Sequence, residues 1–370
     1  MTKEVISMKK LVSIFCAAAL ALSLAGCGAQ AADTNTNTNT TAPVVSTVYS
    51  LEDATVLTFT DSGITAQDGG TGYEIDGTAL TIDSAGTYAV TGTCADGSIT
   101  IKEGTTGVTL VLNGLSLTSA DTAPITCNKS TEVTIIAAEG SVNSLIDSAR
   151  NNDDEYPDNE AAENAVIKCK DGSQVTLGGT GSLTITANGK NGIKSGTTTA
   201  EEGEASLTIR ELTLTINAPV NDAVNAEQTL NVESGTLTIA AADDALHSDL
   251  VLNIGAEGTE GPAITITECY EGIEGAELNI YSGDISINSS DDCLNAANSD
   301  LSGYDFTMTI TGGTIVAYSA SGDGFDSNGD LTITGGSVTV WTASTADNQP
   351  LDADGTITVS GGTVLAAGGS

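Results

Sequence analysis

The 370-residue chain sets 49 acidic side chains against 11 basic ones, for a formal charge of −38, with 42 glycines and only 4% aromatic residues. It offers no basic patch that could neutralise phosphates, which excludes nucleic acid and argues against anionic membrane surfaces as partners. Charged residues are only 16% of the total; with abundant Gly, Thr and Val, this points to ordered β structure rather than an acidic disordered tail.

At the start of the chain, Lys9 and Lys10 precede an apolar run, Leu11 to Leu24, that is short for a membrane span and suited to a signal segment. The run ends in Leu24-Ala25-Gly26-Cys27, with Met8 a second possible start. This resembles the bacterial lipoprotein signal, which implies that residues 1–27 are a leader and that Cys27 is lipidated to become the mature N-terminus. The expected location is therefore extracytoplasmic, on the cell surface, with the membrane reached only through the lipid anchor. Residues 28–50 (GAQAADTNTNTNTTAPVVSTVYS) have no apolar period and read as a flexible tether reaching about 25–30 Å.

From Leu51 to about Gly196 a loose repeat appears, with Ile125, Ile167 and Ile193 as apolar anchors. Between the first two lies a charged stretch, Ser148 to Glu160, which reads as an excursion: either a solvated loop or the side wall of a groove.

From Asn221 to Ser370 one phrase recurs: an acidic turn followed by three short strands. Its anchors are Val224, Leu246, Ile273, Leu294, Phe325 and Leu351, so the steps by subtraction are 22, 27, 21, 31 and 26 residues. In Gly235-Thr-Leu-Thr-Ile-Ala240, Leu237 and Ile239 alternate with threonines, which is the period of a strand. Three such strands per repeat, with turns too short for a crossover helix, predict an all-β solenoid stacked in register at about 4.8 Å per rung, a parallel β-helix over residues 51–370.

The series GTYAVTGT, DGSITI, VTLVLNGLSLTSADTAPI and GTGSLTITANGKNGIKS, followed by DGFDSNGDLTITGG, resembles the bacterial carbohydrate-binding β-helix family with the right-handed pectate-lyase-like fold. The resemblance covers roughly Leu51 to Ser370 and implies an extracellular polysaccharide binder of cellulose or polygalacturonate type, with calcium sites on the coil. The final GGTVLAAGGS brings no polar cap. A last rung with an exposed strand edge is expected, to be covered by a second copy of the chain or by sequence that is missing.

Two positions around each anchor carry the chemistry. Two residues before it stand Asp222, Asp244, Glu271, Asp292 and Asp323; one residue after it stand Asn225, His247, Glu274, Asn295, Asp326 and Asp352. Stacked in register these become acidic ladders, in which neighbouring charges repel by roughly 1 kcal/mol in water and about 3.5 kcal/mol at an effective dielectric of 20. Ca²⁺ accepts six to eight such oxygens, and the doubled acids Asp243-Asp244 and Asp291-Asp292 strengthen that reading. Asx turns and solvated ladders are the alternative. Transition metals are disfavoured, since His247 is the only histidine.

In Gly313 to Tyr318 and Gly336 to Trp341, the alternation points Ile315, Ala317, Val338 and Val340 inward. Tyr318 and Trp341, the only tryptophan, are then expected outside on adjacent rungs, as a platform for a sugar ring or as cover for a loop. Beyond Cys16 and Cys27, five cysteines remain: an odd number that argues against a disulfide framework. Cys127 and Cys169, each two residues after an anchor, read as stacked core thiols.

Catalysis is the weaker reading. A lyase of this fold needs a basic residue beside its calcium, and no lysine or arginine follows Arg210. A hydrolase needs one pair of carboxyls about 6.5–9.5 Å apart, whereas acidic pairs recur here in repeat after repeat. The sequence therefore predicts a non-catalytic, calcium-binding polysaccharide binder, with a polysaccharide lyase or hydrolase as one alternative and a surface adhesin as another.

Overall fold

Threonine alternating with leucine, isoleucine or valine makes one side of a strand apolar, and that side is stabilised by leaving water. The computed structural model describes residues 51, 53–67, 69–343 and 348–369, in which the pattern produces 31 strands and, among the described residues, no helix. The signal run Leu11 to Leu24, Cys27 and the tether 28–50 lie outside the described residues.

The strands form three parallel ladders. The first begins at Ala79–Ile82, passes through Ser98–Ile101, Ile125–Cys127 and Ala165–Cys169, and ends at Phe325–Ser327 with a bridge to Leu351. The second runs from Thr55–Thr60 to Ile357–Val359, and the third from within Gly86–Cys94 to Thr363–Ala367. A chain that visits the three ladders in turn and pairs in parallel with its previous circuit is a parallel β-helix. Some corners are passed without a break: Leu246–Ile254 and Ile273–Ile280 each serve the first and second ladders.

Register follows the apolar anchors. Leu80, Ile99, Ile125, Ile167, Ile193, Val224, Leu246, Ile273, Leu294 and Phe325 pair in succession and are fully buried. Cys127 and Cys169 are in register, both fully buried, and the five described cysteines are all free thiols. Turns between the second and third ladders use paired glycines for two separate reasons. A Cβ on Gly335 would sit 2.1 Å from the Thr311 carbonyl oxygen of the rung below, while Gly336 takes a φ of +81°. Only glycine meets both demands cheaply.

The first stretch differs from a plain repeat. Thr55–Thr60 pairs antiparallel with Gly63–Ala66, and Tyr73–Asp76 with Ala79–Ile82. Asp-Ser-Gly and Asp-Gly turns favour local hairpins over another rung, and these arms cover strand edges that would otherwise be open. Among the described residues nothing covers the final rung, where Ile357, Val359 and Leu365 are exposed.

The excursion after the 142–147 strand is held by buried asparagines rather than by apolar packing. Asn151 donates to Asp147 and to the Ala165 carbonyl, Asn152 to the Gly189 carbonyl, and Asn159 to the Asp121 and Arg150 carbonyls. It leaves the coil at the corner between the third and first ladders.

Phe325 is the bulkiest anchor and contacts its counterparts above and below. Phe325→Ala should lower unfolding free energy by about 3–5 kcal/mol through lost burial and a residual cavity. Chemical denaturation measures this, and a change below about 1 kcal/mol would contradict the anchor role.

Candidate functional site

The acidic turns singled out in the sequence all fall at the corner between the third and first ladders. Because the anchors are in register, residues two before them are too, so Asp222, Asp244, Glu271, Asp292 and Asp323 occupy equivalent places in successive turns. Part of their role is structural. Asp222 accepts from the Asp244 backbone N–H at 3.2 Å, Asp292 from the Asp323 N–H at 2.6 Å, and Asp323 from the Gln349 N–H. Each of these carboxylates ties down the next turn. The second oxygen of Asp222 accepts from Asn225 Nδ2 at 2.6 Å, whereas those of Asp292 and Asp323 have no donor among the described residues.

The outward ladder one residue after the anchors reads Lys168, Lys194, Asn225, His247, Glu274, Asn295 and Asp326 in consecutive register. The first face thus changes sign along the coil, from lysine to carboxylate. At the cationic end Lys194 pairs with Glu227 at 3.2 Å, and Lys170 with Glu163 at 2.7 Å. Burial and the neighbouring Lys194 push the Lys168 ammonium below its ordinary value.

His247 stands at the crossover. Nδ1 lies 2.8 Å from Glu274 and 3.1 Å from Asp244, and Nε2 lies 2.9 Å from Asp249. Burial alone would favour the neutral ring, but the carboxylates of Asp244, Asp249 and Glu274 outweigh it and raise the pKa to about 12. The ring is therefore an imidazolium at neutral pH, donating from both nitrogens. It is the last cationic side chain on this face.

Beyond it the acids hold protons unusually tightly. Burial, then Asp244, raises Asp222 to about 6; burial, then Glu274, raises Glu271 to about 8. Burial raises Asp292 to about 7, and burial with Asp323 and Asp352 raises Asp326 to about 6. Asp244 and Asp323 are also raised, chiefly by burial.

Three groups bring ligand atoms within 4.8 Å of one another: Asp222 with Asp243 and Asp244; Asp244 with His247 and Glu274; and Asp323 with Asp326 and Asp352. In the second, the imidazolium already supplies positive charge. In the third, no member takes part in an ion pair among the described residues. Beside it in the ladder, Asn295 donates to Glu271 at 2.8 Å while its Oδ1 is buried with no donor. An acceptor oxygen left unpaired in this way is costly unless something positive reaches it. Of the acids singled out in the sequence, Glu271, Asp291 and Asp292 line the same corner without joining a group of three.

The aromatic pair lies at the same corner. Tyr318 and Trp341 pair across adjacent rungs with ring centroids 5.8 Å apart and planes inclined by 37°, and Trp341 is 40% exposed. The strand carrying Tyr318 leads straight into the turn of Asp323. Tyr270 went unnoticed in the sequence. It is exposed, and hydrogen bonding to Asp291 raises its hydroxyl to about 12. Its place in the acidic turn, where other circuits carry Asn221, Asp243 and Asp291, was the available sign.

A family profile described as carbohydrate-binding domain-containing protein matches residues 76–370, most of the chain. The chain belongs to that family. The carbohydrate-binding domain so defined holds every acidic turn above and both stacked aromatics. Among solved structures, a polysaccharide lyase-like protein from C. thermocellum, studied as a gadolinium derivative, is 21% identical. The match covers 86% of this chain and 100% of that one, at a TM-score of 0.41. No curated protein matches the sequence.

Two predictions follow from the electrostatics of the carbohydrate-binding domain. Unfolded carboxylates titrate near 4, so the folded state binds more protons between about pH 4 and 8, and stability must fall as pH rises through that window. In chelator-treated protein the melting temperature should drop from pH 5 to pH 8; a flat or rising profile would contradict the assignment. His247→Gln removes the counter-ion facing Asp244 and Glu274 and should cost about 3–5 kcal/mol at neutral pH, measured by denaturant melts.

Proposed function

We propose that this protein is an exported, lipid-anchored, non-catalytic polysaccharide binder that holds acidic glycan of the polygalacturonate type at its acidic corner with the help of Ca²⁺. The observation that carries this reading is the Asp323, Asp326 and Asp352 cluster beside the stacked Tyr318 and Trp341. The donor set is all oxygen, suits a hard cation, and includes no competing side-chain charge. Asp323, Asp326 and Asp352 would hold the ion, with Asp292 and the unpaired Asn295 Oδ1 as further oxygens. Bound there, the ion would neutralise the corner and attract glycan carboxylates that bare aspartates repel. Tyr318 and Trp341 offer faces on which a sugar ring can lie, and the Cys27 anchor with its tether would hold the domain off the membrane.

A lyase is the second reading, favoured by one observation: the depressed pKa of Lys168, which suits a base. It lies several rungs from the Asp323 cluster, which argues against a shared site.

The test is a pull-down of the full chain on polygalacturonate gel and on cellulose, with calcium or chelator, assaying released sugar from the same tubes. Binding to polygalacturonate without release, lost on chelation and weakened at least ten-fold in Asp323→Asn/Asp326→Asn, is the expected result. Trp341→Ala should weaken retention about five-fold or more, in line with loss of an aromatic anchor. Unsaturated ends in the supernatant would move the function to a lyase centred on Lys168, and absence of binding to either glycan would favour an adhesin.

A further inference from the structure

The corner between the second and third ladders carries a different chemistry. Outward-facing positions on the second ladder are threonine for most of its length: Thr134, Thr176 and Thr208 on one side, Thr309, Thr332 and Thr358 on the other. Three consecutive rungs between them carry Asn231, Asn253 and Asn279 instead. Asparagine is the poorer strand former, so strand formation does not explain the exchange.

These amides are aligned. Asn253 Nδ2 donates to Asn231 Oδ1 at 2.9 Å, and Asn279 Nδ2 donates to Asn253 Oδ1 at 3.1 Å. An amide has two donor hydrogens and two acceptor lone pairs; the chain of bonds uses one of each on Asn253 and leaves one of each for a ligand.

Asn231 and Asn253 border a cleft of about 1040 Å³, large enough for several sugar residues. Its walls include Asn231, Asn253, Glu211, Glu233, Tyr281 and the Gly255–Gly261 loop, which extends the turn of one circuit outward. Glu211 holds its place with φ at +61°, a left-handed conformation that is unfavourable for a non-glycine residue. Such strain is retained where the side chain is needed. No lining residue is basic.

We propose that this cleft is a second glycan site, selective for a neutral polysaccharide chain and independent of calcium. Amides in line, one aromatic ring and carboxylates that accept from hydroxyls match the polar edges and apolar faces of uncharged sugars. The same carboxylates, with no basic residue among those that line the cleft, disfavour uronates and phosphates. The inference rests on the polysaccharide-binding reading and extends it: one corner takes acidic glycan with calcium, another takes neutral glycan without it.

Calorimetry on the full chain tests this with cellohexaose and xylohexaose, in chelator, beside a parallel titration of oligogalacturonate with calcium. One neutral oligosaccharide should bind in chelator. Tyr281→Ala and Asn231→Thr/Asn253→Thr should each weaken it at least ten-fold, with melting temperature and oligogalacturonate binding unchanged. Asp323→Asn/Asp326→Asn should leave it intact. Binding of oligogalacturonate alone would overturn the second site while sparing the first, whereas binding of neither would remove both. Undiminished neutral binding by the Tyr281 and asparagine variants would also overturn the proposal, as would displacement by a lysine-rich peptide that binds the cleft more tightly than either sugar.

Discussion

In-register parallel stacking is the constraint on which the rest depends. Rungs about 4.8 Å apart set each side chain directly above and below its counterparts. Inside the coil this is favourable, because leucine, isoleucine and valine stack into a continuous dry column from Leu80 to Phe325. Outside, the same rule multiplies whatever the repeat carries. An aspartate in one turn becomes a ladder of carboxylates, and an asparagine becomes a hydrogen-bonded row.

The acidic corner shows how far a fold can carry this repetition before something must compensate. Midway along the coil Lys168 and Lys194 occupy the outward ladder, and Lys194 pairs with Glu227. At His247 three carboxylates outweigh the effect of burial and raise the ring's pKa to about 12. Past that point no basic side chain follows; the carboxylates accept from backbone N–H donors of the next turn, and burial with neighbouring acids raises their pKa values. Single buried carboxylates are handled in this way in many proteins; a column of them links stability and pH in one surface.

Aromatic residues are scarce in this chain, and three of those it has, Tyr270, Tyr318 and Trp341, stand at the acidic corner, while Tyr281 stands in the amide-lined cleft. Aromatic faces beside convergent polar groups are the usual composition of sugar-recognition surfaces, and membership of a carbohydrate-binding family agrees with that distribution.

The sequence by itself determined the solenoid, its anchors and its two acidic ladders, because a period-two strand pattern repeated at near-constant length admits few other stackings. It also determined that Tyr318 and Trp341 lie outside on neighbouring rungs, since alternation assigns the face. The tertiary structure alone decided how the chain begins, where Asp-Gly turns favour local hairpins over a rung. It alone decided that Asn151, Asn152 and Asn159 knit the 148–164 excursion through buried hydrogen bonds. The imidazolium state of His247, the lone Oδ1 of Asn295 and the convergence of Glu211 and Tyr281 on one cleft were likewise beyond reach of pattern. Each depends on side chains from circuits 20 or more residues apart meeting at a corner, and the residues between repeats vary too much in number for spacing to reveal which will meet.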